Sequence, residues 1–125
     1  MKPNEYSALA LAYLGDAVIE LMVRETLIKS GNKPELLHAK AMLFVSAARQ
    51  SEALGNILPS LNDEETEIYK RGRNAKAKAP KSASAAQYSR ATGMECLFGY
   101  LYLTGEKDRI EELFCAAFAP LDPVT

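Results

Sequence analysis

Apolar residues recur along this chain at intervals of three and four, and no stretch alternates strictly between apolar and polar, so the pattern predicts helices and no half-buried strand. Asn4 is placed to cap a first helix through Leu9, Leu11 and Tyr13. Gly15 then reads as an interruption and Asp16 as the opening of a second helix, which runs to about Ser30 with Gly31 as its stop. Pro34 suits the first turn of a third helix that carries Leu36, Leu37, Met42, Leu43 and Val45 to about Leu54, where Gly55 ends it. The run Asn62-Asp63-Glu64-Glu65 has the form of a capping box, with acidic side chains in the positive first turn of a helix reaching Lys70 or slightly further. From Tyr88 or Ser89 a fifth helix passes through Met94, Leu97, Phe98 and Leu101 to Leu103, stopped by Gly105. A sixth, from about Glu106, buries Ile110, Leu113, Phe114 and Phe118 and ends at Pro120 and Pro123. The predicted fold class is all-α, as one domain over residues 1–125 with no internal repeat.

Composition narrows this further. A chain of 125 residues that is 48% hydrophobic supplies one core and leaves no room for a second domain. No apolar run approaches the ~18 residues needed to span a bilayer, and Met1-Lys2-Pro3-Asn4-Glu5 lacks the apolar segment of a signal peptide. The expected location is the cytoplasm, with no membrane partner. Cys96 and Cys115 lie in apolar helical stretches without the spacing or histidine partners of a zinc site, so both read as reduced core residues. The single histidine, His38, reads as a packing or surface residue.

The net charge of -1 says nothing about a polyanionic partner, but its distribution does. From Lys70 to Arg90 there are seven basic residues (Lys70, Arg71, Arg73, Lys76, Lys78, Lys81 and Arg90) and no acidic one, leaving eight basic against sixteen acidic residues elsewhere. A +7 pole in a chain that is otherwise -8 suggests a local site for a polyanion. Most of it falls in the one long candidate loop, Arg73 to Gln87, broken by Pro80. Charge alone leaves a solvated loop as an equal reading.

Two acidic residues sit in otherwise apolar helical stretches. Asp16 lies in Tyr13-Leu14-Gly15-Asp16-Ala17-Val18-Ile19 and Glu95 in Gly93-Met94-Glu95-Cys96-Leu97-Phe98-Gly99, neither with a basic residue within three positions. Burying a carboxylate costs several kcal/mol unless a partner or metal compensates. Asp16 also reads as an ordinary helix cap, Glu95 as a member of an exposed stripe, and Glu20 as the helical partner of Arg24. Asp16 and Glu95 meet as oxygen ligands of a hard cation only if their helices pack side by side. Phosphodiester hydrolysis of that kind needs no histidine, which suits this chain.

The segment Leu11-Ala12-Tyr13-Leu14-Gly15-Asp16-Ala17-Val18-Ile19-Glu20-Leu21 closely resembles the signature helix of the ribonuclease III family. Independently, Ala91-Thr92-Gly93-Met94-Glu95-Cys96-Leu97-Phe98-Gly99-Tyr100-Leu101-Tyr102-Leu103 resembles the family's later helix, in the right order along the chain. With no double-stranded-RNA-binding domain after it, the chain is similar to the short Mini-ribonuclease III subfamily, as are Arg71-Gly72-Arg73-Asn74-Ala75 and Phe44-Val45-Ser46-Ala47.

The resemblance implies a homodimeric, all-helical endoribonuclease cutting double-stranded RNA with Mg²⁺, or Mn²⁺, to leave 5′-phosphate and 3′-hydroxyl ends. Asp16 and Glu95 match the family's metal-ligating, catalytic aspartate and glutamate. The family's other acidic positions fall on Leu9, Ala12 and Thr92, which thins the carboxylate cluster to two per subunit. The implied substrate is the stem joining the ends of 23S precursor ribosomal RNA; whether a ribosomal protein assists stays open. Arg71, Arg73, Lys76, Lys78, Lys81 and Arg90 would then contact RNA, with Glu20 and Asn74 as supporting residues. The alternative is a nuclease-like module that grips structured RNA or a ribosome precursor without cutting it.

Overall fold

Helix α5 (Ala85–Leu103) is covered around most of its middle: Ala91 to Met94, Cys96 to Gly99, and Leu101 are all buried, with Glu95 and Tyr100 half-buried. A helix buried around most of its circumference belongs inside a domain, and here α5 is the axis of the fold. Helices α1 (Ala8–Lys29), α3 (Ala47–Ile57) and α4 (Asp63–Arg73) pack directly on it, α2 (Pro34–Val45) lies against α1, and α6 (Lys107–Phe118) lies chiefly against α3. This computed structural model describes residues 1–75 and 84–118, among which there is no strand, as the periodicity predicts. The core runs from Leu11, Ile19 and Leu27 through Met94, Leu97 and Phe98 to Leu54, Ile57 and Leu113, each side chain contributing roughly 1.5–3 kcal/mol by burial. No helix among the described residues is long and apolar enough to cross a membrane.

Several expected boundaries move, each for a local reason. Asn4 belongs to a short 3₁₀ turn, Pro3–Glu5, and the cap of α1 is Ser7, whose Oγ accepts from the Ala10 N–H at 3.1 Å. Gly15 does not interrupt the helix, so Asp16 is not a cap: α1 continues unbroken to Lys29 before Gly31, at φ +77°. The physical reason is a backbone-to-backbone crossing with α5. A Cβ on Gly15 would stand 1.6 Å from the carbonyl oxygen of Glu95, and one on Gly99 would stand 2.0 Å from that of Leu11. Each glycine costs a helix about 1 kcal/mol relative to alanine, and the close approach of the two helices offsets it.

The expected third helix is two helices. Ser46 turns extended (ψ 152°), and its Oγ accepts from the Arg49 N–H at 3.3 Å to cap α3, which passes Gly55 and ends at Ile57. The capping box forms as expected: the Glu65 N–H reaches Asn62 Oδ1 at 2.8 Å, and the Asn62 N–H reaches Glu65 Oε1 at 3.0 Å. Its glutamate does more than cap. Glu65 is buried and accepts from Nε and Nη2 of Arg109, both at 2.8 Å, while Arg109 Nη2 also donates to the Ser60 carbonyl at 2.9 Å. This ion pair ties α6 to the start of α4.

Helix α5 begins at Ala85, capped by Ser84, a turn earlier than expected. The sixth helix buries Ile110, Leu113, Phe114 and Phe118 as predicted. Cys96 is buried as expected, but Cys115 is exposed, because α6 turns it away from the face that carries Phe114 and Phe118. His38 is exposed on α2. Pro120 and Pro123 lie outside the described residues.

Candidate active site

The glycine crossing decides what Asp16 and Glu95 can do. Because the backbone of Gly15 abuts that of Glu95, the residue after one and the side chain of the other open into a single cleft of about 760 Å³. Tyr13, Asp16 and Glu20 line it from α1, and Tyr88, Thr92 and Glu95 line it from α5, each set spaced by three and four and so sharing one helical face. The junction of α2 and α3 closes the third side with Met42, Val45, Ser46 and Gln50.

Within the cleft Asp16 is exposed, whereas Glu95 is half-buried. Burial, then the negative charge and hydrogen bonding of Asp16, push the Glu95 carboxyl up to about 8, against a smaller opposite pull from the Gln50 amide. A carboxyl in these surroundings holds its proton at neutral pH unless a cation takes the proton's place. The pair therefore fits a hard divalent cation. No group of three or more potential metal ligands forms among the described residues, in keeping with the thinned carboxylate set, and two carboxylates suffice for Mg²⁺, which keeps several waters.

The other expected site residues divide. Glu20 lines the cleft, and it also accepts from Arg24 Nη2 at 2.6 Å, so it is both a helical partner and a neighbour of the site. Asn74 is the C-cap of α4, where its Oδ1 accepts from Arg73 Nε at 3.1 Å, and it is not among the residues lining the cleft. Arg71 donates to the Tyr6 carbonyl at 3.0 Å, which holds down the amino-terminal turn. Arg90 donates to Ser51 Oγ at 2.9 Å and to the Ser51 carbonyl at 3.1 Å, bridging α5 to α3. The Arg73 guanidinium lies over the Tyr69 ring at 5.7 Å. The described part of the basic pole thus also clamps the fold, although each guanidinium carries five donors and keeps some free. Lys76, Lys78 and Lys81 lie outside the described residues.

Gln50 was not legible as a site residue. It is 2% exposed and lines the cleft, yet it stands in the polar run Arg49-Gln50-Ser51-Glu52, which reads as surface. A signal was present: Gln50 falls in register with Ala53, Leu54 and Ile57, the buried face of α3.

Known proteins resemble this chain over most of its length. The family model of the ribonuclease III domain matches residues 9–106, a span that contains both carboxylates. The chain is 46% identical over 117 residues to the Mini-ribonuclease 3 of Symbiobacterium thermophilum, covering 92% of this chain and 90% of that protein. It is 45% identical over 119 residues to the Mini-ribonuclease 3 of Brevibacillus brevis, covering 94% and 89%. Among solved structures, the crystal structure of a Fusobacterium nucleatum protein superposes with a TM-score of 0.87 at 30% identity, over 96% of this chain and 98% of that one. A domain match across most of the chain, near-full-length relatives and a shared architecture lead to one conclusion: this chain belongs to the ribonuclease III family.

Proposed function

We propose that this protein is an endoribonuclease that hydrolyses double-stranded RNA as a homodimer, with Asp16 and Glu95 of each subunit holding Mg²⁺, and that its substrate is the stem joining the ends of 23S precursor ribosomal RNA in the cytoplasm. The observation that carries the reading is the pairing of these two carboxylates, one exposed and one half-buried, across a helix crossing and at the side of an open cleft. Bound there, Mg²⁺ or Mn²⁺ would polarise the phosphoryl group, activate water for attack and stabilise the leaving oxygen, giving 5′-phosphate and 3′-hydroxyl ends.

The protein's own groups prepare that chemistry. Glu95, whose proton is held by partial burial and by the charge of Asp16, would release it on holding a cation beside Asp16. Asp16 stands at the solvent side, where a phosphate can approach. Glu20, held by Arg24, adds negative charge one turn away from Asp16.

The homodimer is supported by an apolar stripe on the outer face of α1: Leu9, Tyr13, Ala17 and Leu21 follow one another at intervals of four and are all exposed, Tyr13 by 85% and Leu21 by 67%. Such a stripe beside the cleft suits the same surface of a second copy, which would bring two sites toward one RNA duplex. The spare donors of Arg71, Arg73 and Arg90, with Lys76, Lys78 and Lys81, supply the positive charge for the phosphates of an A-form helix.

The test is incubation of purified protein with labelled duplex RNA and Mg²⁺, beside Glu95→Gln. Cleavage by the parent and intact binding without cleavage by the variant are the expected results. Binding without cleavage by either, on precursor ribosomal RNA as well as on generic duplex, would replace this reading with that of a non-cutting RNA-binding module.

A further inference from the structure

The buried amide of Gln50 is a polar group at a position where α3 otherwise presents Ala53, Leu54 and Ile57 to the core. An aliphatic side chain would fill this position without an amide to satisfy, and a buried polar atom left unpaired costs about 1–3 kcal/mol. One half of the amide is accounted for: Nε2 donates to the Val45 carbonyl at 3.0 Å. That carbonyl is available because α2 breaks at Ser46, leaving its last-turn oxygens without helical donors. The bond also fixes which way the amide faces, since turning it over would set Oε1 against the carbonyl oxygen.

The second hydrogen of Nε2 is then free for the neighbouring Glu95 carboxyl, and Oε1 is fully buried with no donor among the described residues. A hydrated divalent cation seated between Asp16 and Glu95 would bring the missing donors, the O–H groups of its waters.

We propose that Gln50 is a positioning residue of the metal site: anchored on the Val45 carbonyl, its amide orients the Glu95 carboxylate toward Asp16 and offers Oε1 to the waters of the hydrated cation. The inference rests on the metal-site reading of Asp16 and Glu95. It assigns a purpose to three features that the carboxylate pair alone leaves unexplained: the break at Ser46, the amide within an apolar face, and the acceptor without a donor.

The experiment measures Mn²⁺ binding to the full chain without RNA, by the electron paramagnetic resonance signal of the free ion, for the parent, Glu95→Gln, Gln50→Leu and Gln50→Met. Metal-free Tm and the kcat and KM for duplex cleavage are measured alongside. Two substitutions at Gln50 guard against one of them failing to fold. The expected result for both is Mn²⁺ affinity about tenfold or more weaker than the parent's, as for other partners that orient a metal ligand, with metal-free Tm equal to or above the parent's. The loss in cleavage should appear in kcat, with KM for the duplex unchanged. Parental Mn²⁺ affinity in either variant overturns the inference, as does weakened affinity that comes only with a lowered metal-free Tm, the mark of a merely structural role. If the parent binds no Mn²⁺, or Glu95→Gln binds it as the parent does, the metal-site reading itself fails and takes this inference with it.

Discussion

Replacing Glu95 by glutamine should stabilise the metal-free protein, and the gain should depend on pH. In the folded chain the Glu95 carboxyl is pushed up to about 8 from an ordinary 4.5, by burial first and by Asp16 second. The unfolded chain ionises freely above 4.5, so for this group the folded state binds the proton more tightly than the unfolded state does. Stability from this source is complete below about pH 4.5 and is lost progressively as pH rises toward about 8. At roughly 1.4 kcal/mol per pH unit, the full shift corresponds to about 5 kcal/mol. Screening by solvent in the open cleft leaves about 2 kcal/mol as the working figure. For a domain of this size, that is a rise in Tm of roughly 5–10 °C. Glu95→Gln keeps the side-chain shape and cannot ionise, so in EDTA its Tm should exceed the parent's by this amount at pH 8.5, and the difference should close near pH 4.5. Excess Mg²⁺ should raise the parent's Tm and leave the variant's unchanged. Thermal scans followed by circular dichroism at five or six pH values decide the matter. A variant less stable than the parent at pH 8.5, or a difference that does not change with pH, would refute the argument that an uncompensated, half-buried carboxyl sits here.

Four further outcomes are expected. Gly15→Ala forces a Cβ to within 1.6 Å of the Glu95 carbonyl oxygen, so α1 and α5 must separate; the loss should be about 3 kcal/mol or more, read from urea unfolding, with metal affinity falling in parallel. Glu65→Gln leaves Arg109 without its buried partner and should cost on the order of 3 kcal/mol. The Arg109 hydrogen bonds hold the Glu65 carboxyl below its usual value, so this stability is present above about pH 4.5 and fades as pH falls through the depressed value; the penalty of the substitution, measured by denaturant titration, should shrink in acid. Leu21→Glu places a charge on the exposed stripe of α1, and light scattering coupled to size exclusion should report a dimer for the parent and a monomer for the variant. Replacing Lys76, Lys78 and Lys81 together by alanine should flatten the dependence of duplex affinity on salt by up to three phosphate contacts' worth of slope, measured by filter binding at four salt concentrations.

The sequence by itself determined what its local chemistry determines. Helical periodicity set the class, because amphipathic spacing is a property of a single segment. The box Asn62 to Glu65 set the start of α4, and Gly31 and Gly105, both at φ +77°, set the ends of α1 and α5. The two motifs named the family and singled out Asp16 and Glu95 as the carboxylates to examine. Tertiary structure decided everything that depends on what lies opposite. Gly15 reads locally as a break, since glycine weakens a helix; only the α5 backbone pressed against it makes that glycine the condition for an unbroken α1. Val45-Ser46-Ala47 carries no glycine or proline to announce a break, and the chain turns there so that α2 can lie against α1 while α3 packs on α5. Gln50 looks like surface among its polar neighbours and becomes part of the cleft wall once α3 is docked. Arg71 and Arg90, read as free charge, find carbonyl and hydroxyl partners 65 and 39 residues away. Hydrogen bonds and steric contacts between distant segments exist only after packing, so no window along the chain contains them.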